Sequence, residues 1–250
     1  MSVTLGATAA LRDVDLRVDA GEAIAIIGPS GAGKTTLLRV LAGVLDPDRG
    51  SASVDGVPLA GLTQRERQAI RASIGFVHQD HALVPVLRVL QNVIAGRLGK
   101  AGLSAGLRRM VFPLTEEREA VHATLERVGI GETLYKRVDR LSGGQQQRVA
   151  IARALYQEPR ALLADEPVAS VDPVRSRAII QLLIDVAKER GATLIASLHD
   201  VELAVEFFPR IVGVRDGRVV FDVRADEHGT HAGLDKAMLQ ELYEQGDGQI

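Results

Sequence analysis

Cysteine is absent from the 250 residues. That excludes disulfides and thiolate metal sites, and it fits a reducing compartment. Tryptophan is also absent and aromatics make up 3%, so Leu, Ile, Val and Ala must fill any core. No apolar run approaches the roughly 18 residues of a membrane span. The N-terminus has Arg12 and Asp13 early and no signal-peptide apolar stretch. A soluble, cytoplasmic chain is therefore expected, with any membrane association made through a partner. Neither sign of charge is in excess: Lys and Arg total 30 against 32 for Asp and Glu, a net charge of -2. That balance gives no electrostatic footprint for nucleic acid. Internal repeats and low-complexity linkers are also missing. What is present is a 46% hydrophobic content, enough for a packed core. The length suits one large domain, or one domain with an inserted lobe.

Short apolar runs alternate with helical patterns, which predicts an α/β sheet. Ala23 to Ile27 reads as a buried strand ending at Gly28, and Lys34 to Ala42 as the helix after it. Leu162 to Ala164 and Thr193 to Ser197 read as further core strands. Ile179, Ile180, Leu183 and Val186 recur at helical spacing between Ser176 and Arg190, after an Asp172-Pro173 helix start. Asp216-Gly217 between two apolar runs signals a hairpin. The middle, from about Leu83 to Arg140, carries few strand signals and reads as a mostly helical insertion, with Val121, Leu125 and Val128 on one helix face. Leu234, Met238 and Leu242 suggest a terminal helix.

Two segments carry phosphate chemistry. Gly28-Pro29-Ser30-Gly31-Ala32-Gly33-Lys34-Thr35 matches G-x-x-x-x-G-K-[ST] between a predicted strand and a predicted helix. Glycines let backbone N–H groups turn inward around phosphates, and the next helix, from Lys34 through Thr35 and Thr36, adds its positive dipole end. Lys34 can neutralise β/γ-phosphates and the Thr35 hydroxyl can bind Mg²⁺. The run Ala161-Leu162-Leu163-Ala164-Asp165-Glu166-Pro167 is an apolar strand ending in two acids. Sheets of this kind bind ligands at that end. Asp165 suits the metal, and Glu166 is the candidate for polarising an attacking water.

A third segment narrows the class. Leu141-Ser142-Gly143-Gly144-Gln145, followed by a helix through Leu155, places Ser142, Gly144 and Gln145 at a second anion-binding helix start. Here the sequence resembles the ABC ATPase family over nearly its whole length. The resemblance implies a P-loop NTPase core sheet with an antiparallel β subdomain and an inserted helical subdomain. It also implies a single ATPase domain over 1–250, with the helical signature subdomain at about 83–155. By the same resemblance the ligands are ATP and Mg²⁺, and the catalytic set is Glu166, His199, Gln79 and Lys34. Ser142 would bind the ATP held by a second copy in a head-to-tail homodimer. Gln79 resembles the Q-loop glutamine near metal and water, though alone it would read as a surface loop residue. Asp172 resembles the D-loop acid between the two sites and is also a plain helix cap. His199 resembles the switch histidine at the γ-phosphate. The segment His81 to Leu87 is unusually apolar; it either packs the helical lobe or, as the family implies, forms part of a groove for a membrane subunit.

Within the family the chain is most similar to the ATPases of phosphonate importers, including those for phosphite and related oxyanions. Asn92 to Gly99, Leu107 to Phe112, Ala123 to Ile130 and Ala164 to Pro173 carry that likeness. The basic stretch Arg108-Arg109 reads equally as a solvated helix face. The implied partners are membrane permease subunits and, through them, a substrate-binding protein, at the cytoplasmic face of the inner membrane. Other importers (amino acids) or lipoprotein-release transporters are the nearest alternatives. A DNA-repair member would need a long coiled coil, a ribosomal member two cassettes, and a small-molecule kinase no signature. Two departures stand out. His78 beside Gln79 replaces a commoner aromatic or aliphatic residue. The place of an adenine-stacking aromatic falls on Leu5 or Gly6, no aromatic occurs before Phe76, and the first strand looks clipped. Poor discrimination between ATP and GTP is the resulting expectation.

Overall fold

The computed structural model describes residues 1–100, 103–169 and 172–243. The chain begins with a hairpin of two short antiparallel strands, β1 (Val3–Leu5) and β2 (Thr8–Leu11). Strand β3 (Ala23–Ile27) follows, then helix α1 (Lys34–Leu41). A two-residue ladder joins β4 (Ser53–Val54) to β5 (Val57–Pro58). Helix α2 (Gln64–Ser73) starts on a capping box between Thr63 and Glu66 and runs directly into β6 (Ile74–Val77). Between β6 and the next strand the described elements are helices: α3 (Val89–Ile94), α4 (Leu103–Val111), α5 (Thr115–Arg127) and α6 (Gly143–Tyr156), with one 3₁₀ turn after α3 and two between α5 and α6. The remainder alternates: β7 (Ala161–Asp165), α7 (Pro173–Arg190), β8 (Thr193–Leu198), α8 (Val201–Phe207), β9 (Arg210–Arg215), β10 (Arg218–Arg224) and α9 (Lys236–Tyr243).

Six strands pair in the order β10-β9-β3-β8-β7-β6. All neighbours are parallel except β10 against β9, which the Asp216-Gly217 turn connects. Both turn residues have positive φ, at 49° and 76°, as a two-residue hairpin turn with the right twist requires. Strand side chains alternate between faces. Ala25 and Ile27 of β3 therefore enter one apolar cluster and Ile24 and Ile26 another. The first cluster joins the sheet to α3, α5, α6, α7 and α8; the second joins it to α1. An apolar run buried on both faces is what a central parallel strand demands.

The predicted strands and helices lie where the patterns place them, within a residue for the strands except β10, which runs three residues past its apolar run. Helix α7 begins at Pro173 behind its Asp172 cap, as the Asp172-Pro173 start predicts. The terminal helix starts after Leu234, because Asp235 accepts the Met238 N–H at 2.8 Å and fixes the helix start there. Strands β1, β2, β4, β5 and β6 are additions to the sequence reading. Each has four residues or fewer, too short for a periodic signal. Among the described residues no helix is long and apolar enough to cross a membrane.

Candidate nucleotide site

The loop between β3 and α1 folds tightly because two positions have no side chain. Gly28 has φ 152°, and a Cβ there would sit 2.0 Å from the Val214 carbonyl oxygen. Gly33 has φ 107°, and its Cβ would sit 2.6 Å from the Ala10 oxygen. The loop is thus pressed between β9 and β2 with its backbone lining the concavity. No side chain caps α1, so the positive end of that helix faces the loop and favours an anion. Lys34 is buried, and its Nζ donates to the carbonyls of Gly28 at 2.7 Å and Pro29 at 3.0 Å. Burial holds its amine below the usual lysine range, while the charges of Glu166 and Asp165 pull the other way.

The acid pair stands at the carboxyl end of β7, beside this loop. Asp165 is buried, and its Oδ1 accepts the Thr35 hydroxyl at 3.1 Å and the Ser197 hydroxyl at 2.8 Å. Ser197, fully buried in β8, accepts the Glu166 N–H at 2.9 Å. Glu166 itself has φ 48°, a left-handed conformation that costs energy for a residue with a side chain and persists only where its surroundings enforce it. Its carboxylate meets Gln79 Nε2 at 2.9 Å and His199 Nε2 at 2.5 Å. Lys34, Thr35, Gln79, Asp165, Glu166 and His199, far apart in sequence, therefore converge at one end of the sheet. The Thr35 hydroxyl, the Asp165 carboxylate and the Gln79 amide oxygen are hard oxygen donors of the kind Mg²⁺ takes.

The signature residues lie apart from this cluster. Ser142 and Gln145 close a capping box on α6, with the Gln145 N–H donating to Ser142 Oγ at 3.3 Å and the Ser142 N–H to Gln145 Oε1 at 3.1 Å. A Cβ added at Gly143 or Gly144 would meet nothing within 4 Å. No hydrogen bond among the described residues joins Ser142, Gly144 or Gln145 to the loop. Asp172 accepts the Arg175 N–H at 3.1 Å as the α7 cap. Its neighbours Ser170 and Val171 lie outside the described residues.

Sequence reasoning missed three functional side chains. Ser197 ties the two acids together. Gln147, buried on α6, donates to the Pro167 carbonyl at 2.7 Å, next to Glu166. Arg153, also on α6, donates to the His81 carbonyl at 2.9 Å and to that of Ala82. His81 and Ala82 both have positive φ, 61° and 46°. The signature helix thus fastens the loop after Gln79 and the turn after Glu166 from behind. Nothing local in the sequence distinguishes these residues from ordinary helix or strand positions, because their partners are 20 to 72 residues away. His78 packs its ring 4.3 Å from that of Phe76, and burial, with Arg153 nearby, holds it below the usual histidine range. In the apolar segment after Gln79, Leu83 packs on the core while Val84 and Val86 are exposed.

A cleft of about 550 Å³ extends from the phosphate loop and Glu166 to the β1–β2 hairpin and the Asp216-Gly217 turn. A larger one, about 700 Å³, lies near the opposite ends of β7 and β8, lined by Glu158, Arg160 and Arg190. The chemistry belongs to the smaller cleft, since it sits at the carboxyl ends of parallel strands.

Residues 11–169 match the sequence pattern of the ABC transporter family. The phosphonates import ATP-binding protein PhnC 2 of Pseudomonas aeruginosa (strain UCBPP-PA14) is 48% identical over 94% of this chain and 85% of its own length. The phosphonates import ATP-binding protein PhnC of Alcaligenes faecalis is 45% identical over 89% and 80%. Among solved structures, the dimeric bacterial ABC transporter cassette MJ0796 superposes with a TM-score of 0.79 at 33% identity, covering 89% of this chain and 94% of that one.

Proposed function

This chain belongs to the ABC transporter family and is an ATP-hydrolysing subunit of that family, and from that premise we propose that it powers import of phosphonate- or phosphite-type oxyanions. The observation that carries the catalytic part is the convergence of Lys34, Thr35, Asp165, Ser197, Glu166, Gln79 and His199 at one end of the sheet. Residues Gly28 to Thr36 cradle the triphosphate, with Lys34 moving from the loop carbonyls to the β/γ-phosphates. Thr35, Asp165 and Gln79 would hold Mg²⁺, which would supply positive charge against the phosphate oxygens. Glu166 orients and deprotonates the attacking water. Gln79 and His199, which hold the Glu166 carboxylate, would exchange that contact for one toward the metal side and one toward the γ-phosphate. Ser142, Gly144 and Gln145 complete the opposite site of a head-to-tail dimer, and Asp172 links the two sites. The MJ0796 cassette, solved as a dimer, supports the pairing of two copies.

The chain acts as one ATPase domain over 1–250, with residues 83–155 as its signature-bearing helical lobe. Exposed Val84 and Val86, beside the loop that carries Gln79, dock a helix of the permease and transmit closure to it. The protein so held is peripheral at the cytoplasmic face of the inner membrane, and a binding protein reaches it only through the permease. The substrate rests on the relatives named for phosphonate import and on the segments shared with that group. No residue of this subunit touches the cargo, so the test uses the assembled transporter. With permease in liposomes and binding protein added, ATP hydrolysis is expected to rise with an alkylphosphonate or phosphite and not with amino acids. Stimulation by amino acids alone would overturn the substrate reading and leave the ATPase reading intact.

A further inference from the structure

The nucleotide cleft has two ends of different chemistry. The phosphate end is built from backbone and buried polar groups. The other end, which must receive the base and ribose once the phosphates are seated, is lined by Leu5, Thr8, Ala10 and Arg12 of the first hairpin and by Asp216-Gly217. Among the described residues no aromatic side chain lines it. The one planar cation among the described residues that line it is the Arg12 guanidinium. Thr8 and Ala10 of β2, with Arg12 one residue past its end, form this face of the cleft. That face is held in place: the Arg12 N–H donates to the Gly217 carbonyl at 2.7 Å, and a Cβ at Gly217 would come within 2.7 Å of the Ala10 oxygen. The Arg12 side chain is exposed. Among the described residues it makes no hydrogen bond or ion pair. The other cation of the cleft, Lys34, is committed to the phosphate loop.

We propose that the Arg12 guanidinium stacks on the nucleobase and holds it in place of the missing aromatic ring. A guanidinium plane lies well on an aromatic face, which a lysine ammonium does not. Every base offers a π-face, so stacking of this kind binds without choosing among bases. Adenine and guanine nucleotides are therefore held alike.

The inference rests on the nucleotide reading of the cleft, and its test separates the two. Titration calorimetry of the full chain with ADP, GDP and pyrophosphate avoids turnover and includes one probe without a base. Arg12→Ala is expected to weaken ADP and GDP together by about 3- to 30-fold, the range of a cation–π contact, and to leave pyrophosphate unchanged. Arg12→Lys, which keeps the charge and loses the plane, is expected to lose most of the same affinity. Unchanged ADP binding in Arg12→Ala overturns the inference. So does an equal loss for pyrophosphate, which would put Arg12 on the phosphates, or full affinity in Arg12→Lys, which would reduce the contact to charge. Failure of the wild-type chain to bind pyrophosphate or ADP overturns the nucleotide reading itself, before any variant is made.

Discussion

The two ends of the cleft are held by different means. At the phosphate end the working groups have partners: Lys34 on two carbonyls, Asp165 on two hydroxyls, Glu166 on Gln79 and His199. At the base end Leu5, Thr8, Arg12 and Asp216 are exposed, and the first hairpin has only three and four residues per strand. The difference teaches where precision is needed. Phosphoryl transfer depends on fixed charges placed to within fractions of an ångström. Base binding needs only a surface to lie on, so an aromatic can be replaced without damage to the chemistry.

Substitutions at the two ends should therefore differ in kind. Glu166→Gln is expected to bind nucleotide normally and to lose about 10²–10⁴-fold in hydrolysis, read by phosphate release under saturating ATP. Ser197→Ala leaves the Glu166 N–H without its partner and frees Asp165 to turn. Hydrolysis should fall about 10- to 100-fold, and thermal unfolding should register a loss of roughly 1–3 kcal/mol. Arg153→Ala, by releasing the carbonyls of His81 and Ala82, should lower hydrolysis about 2- to 30-fold with ADP affinity unchanged. Equal losses in both would place Arg153 in general folding rather than in positioning Gln79. At the base end, Leu5→Tyr should tighten ADP and GDP alike by about 3- to 10-fold without raising the maximal rate. A rate increase from Leu5→Tyr would dissolve the distinction between the two ends.

The same contrast explains what could be read from the sequence. The phosphate loop is eight consecutive residues with one chemical purpose, and the acid pair ends an apolar run, so both were legible as local patterns. Asp172 was legible as a cap because capping is local. Ser197, Gln147 and Arg153 were not, because each acts on a backbone or carboxyl group brought near by the fold. The order of the six strands was not legible for the same reason: β3 pairs with β8 and β9, more than 160 residues along the chain. The absence of an aromatic before Phe76 was plain, while Arg12 as its replacement emerged only once the Asp216-Gly217 turn was seen against β2.

The account turns on a site completed by a second copy of the chain, since Ser142 and its glycines lie apart from the loop they would serve. Light scattering of Glu166→Gln with and without Mg-ATP tests this most directly. The expected result is a mass near 27 kDa without nucleotide, close to the 26.8 kDa chain, and about twice that with it. Ser142→Arg in the same background should abolish the shift. A mass that stays at one chain while ATP is demonstrably bound would contradict the shared site in the isolated subunit.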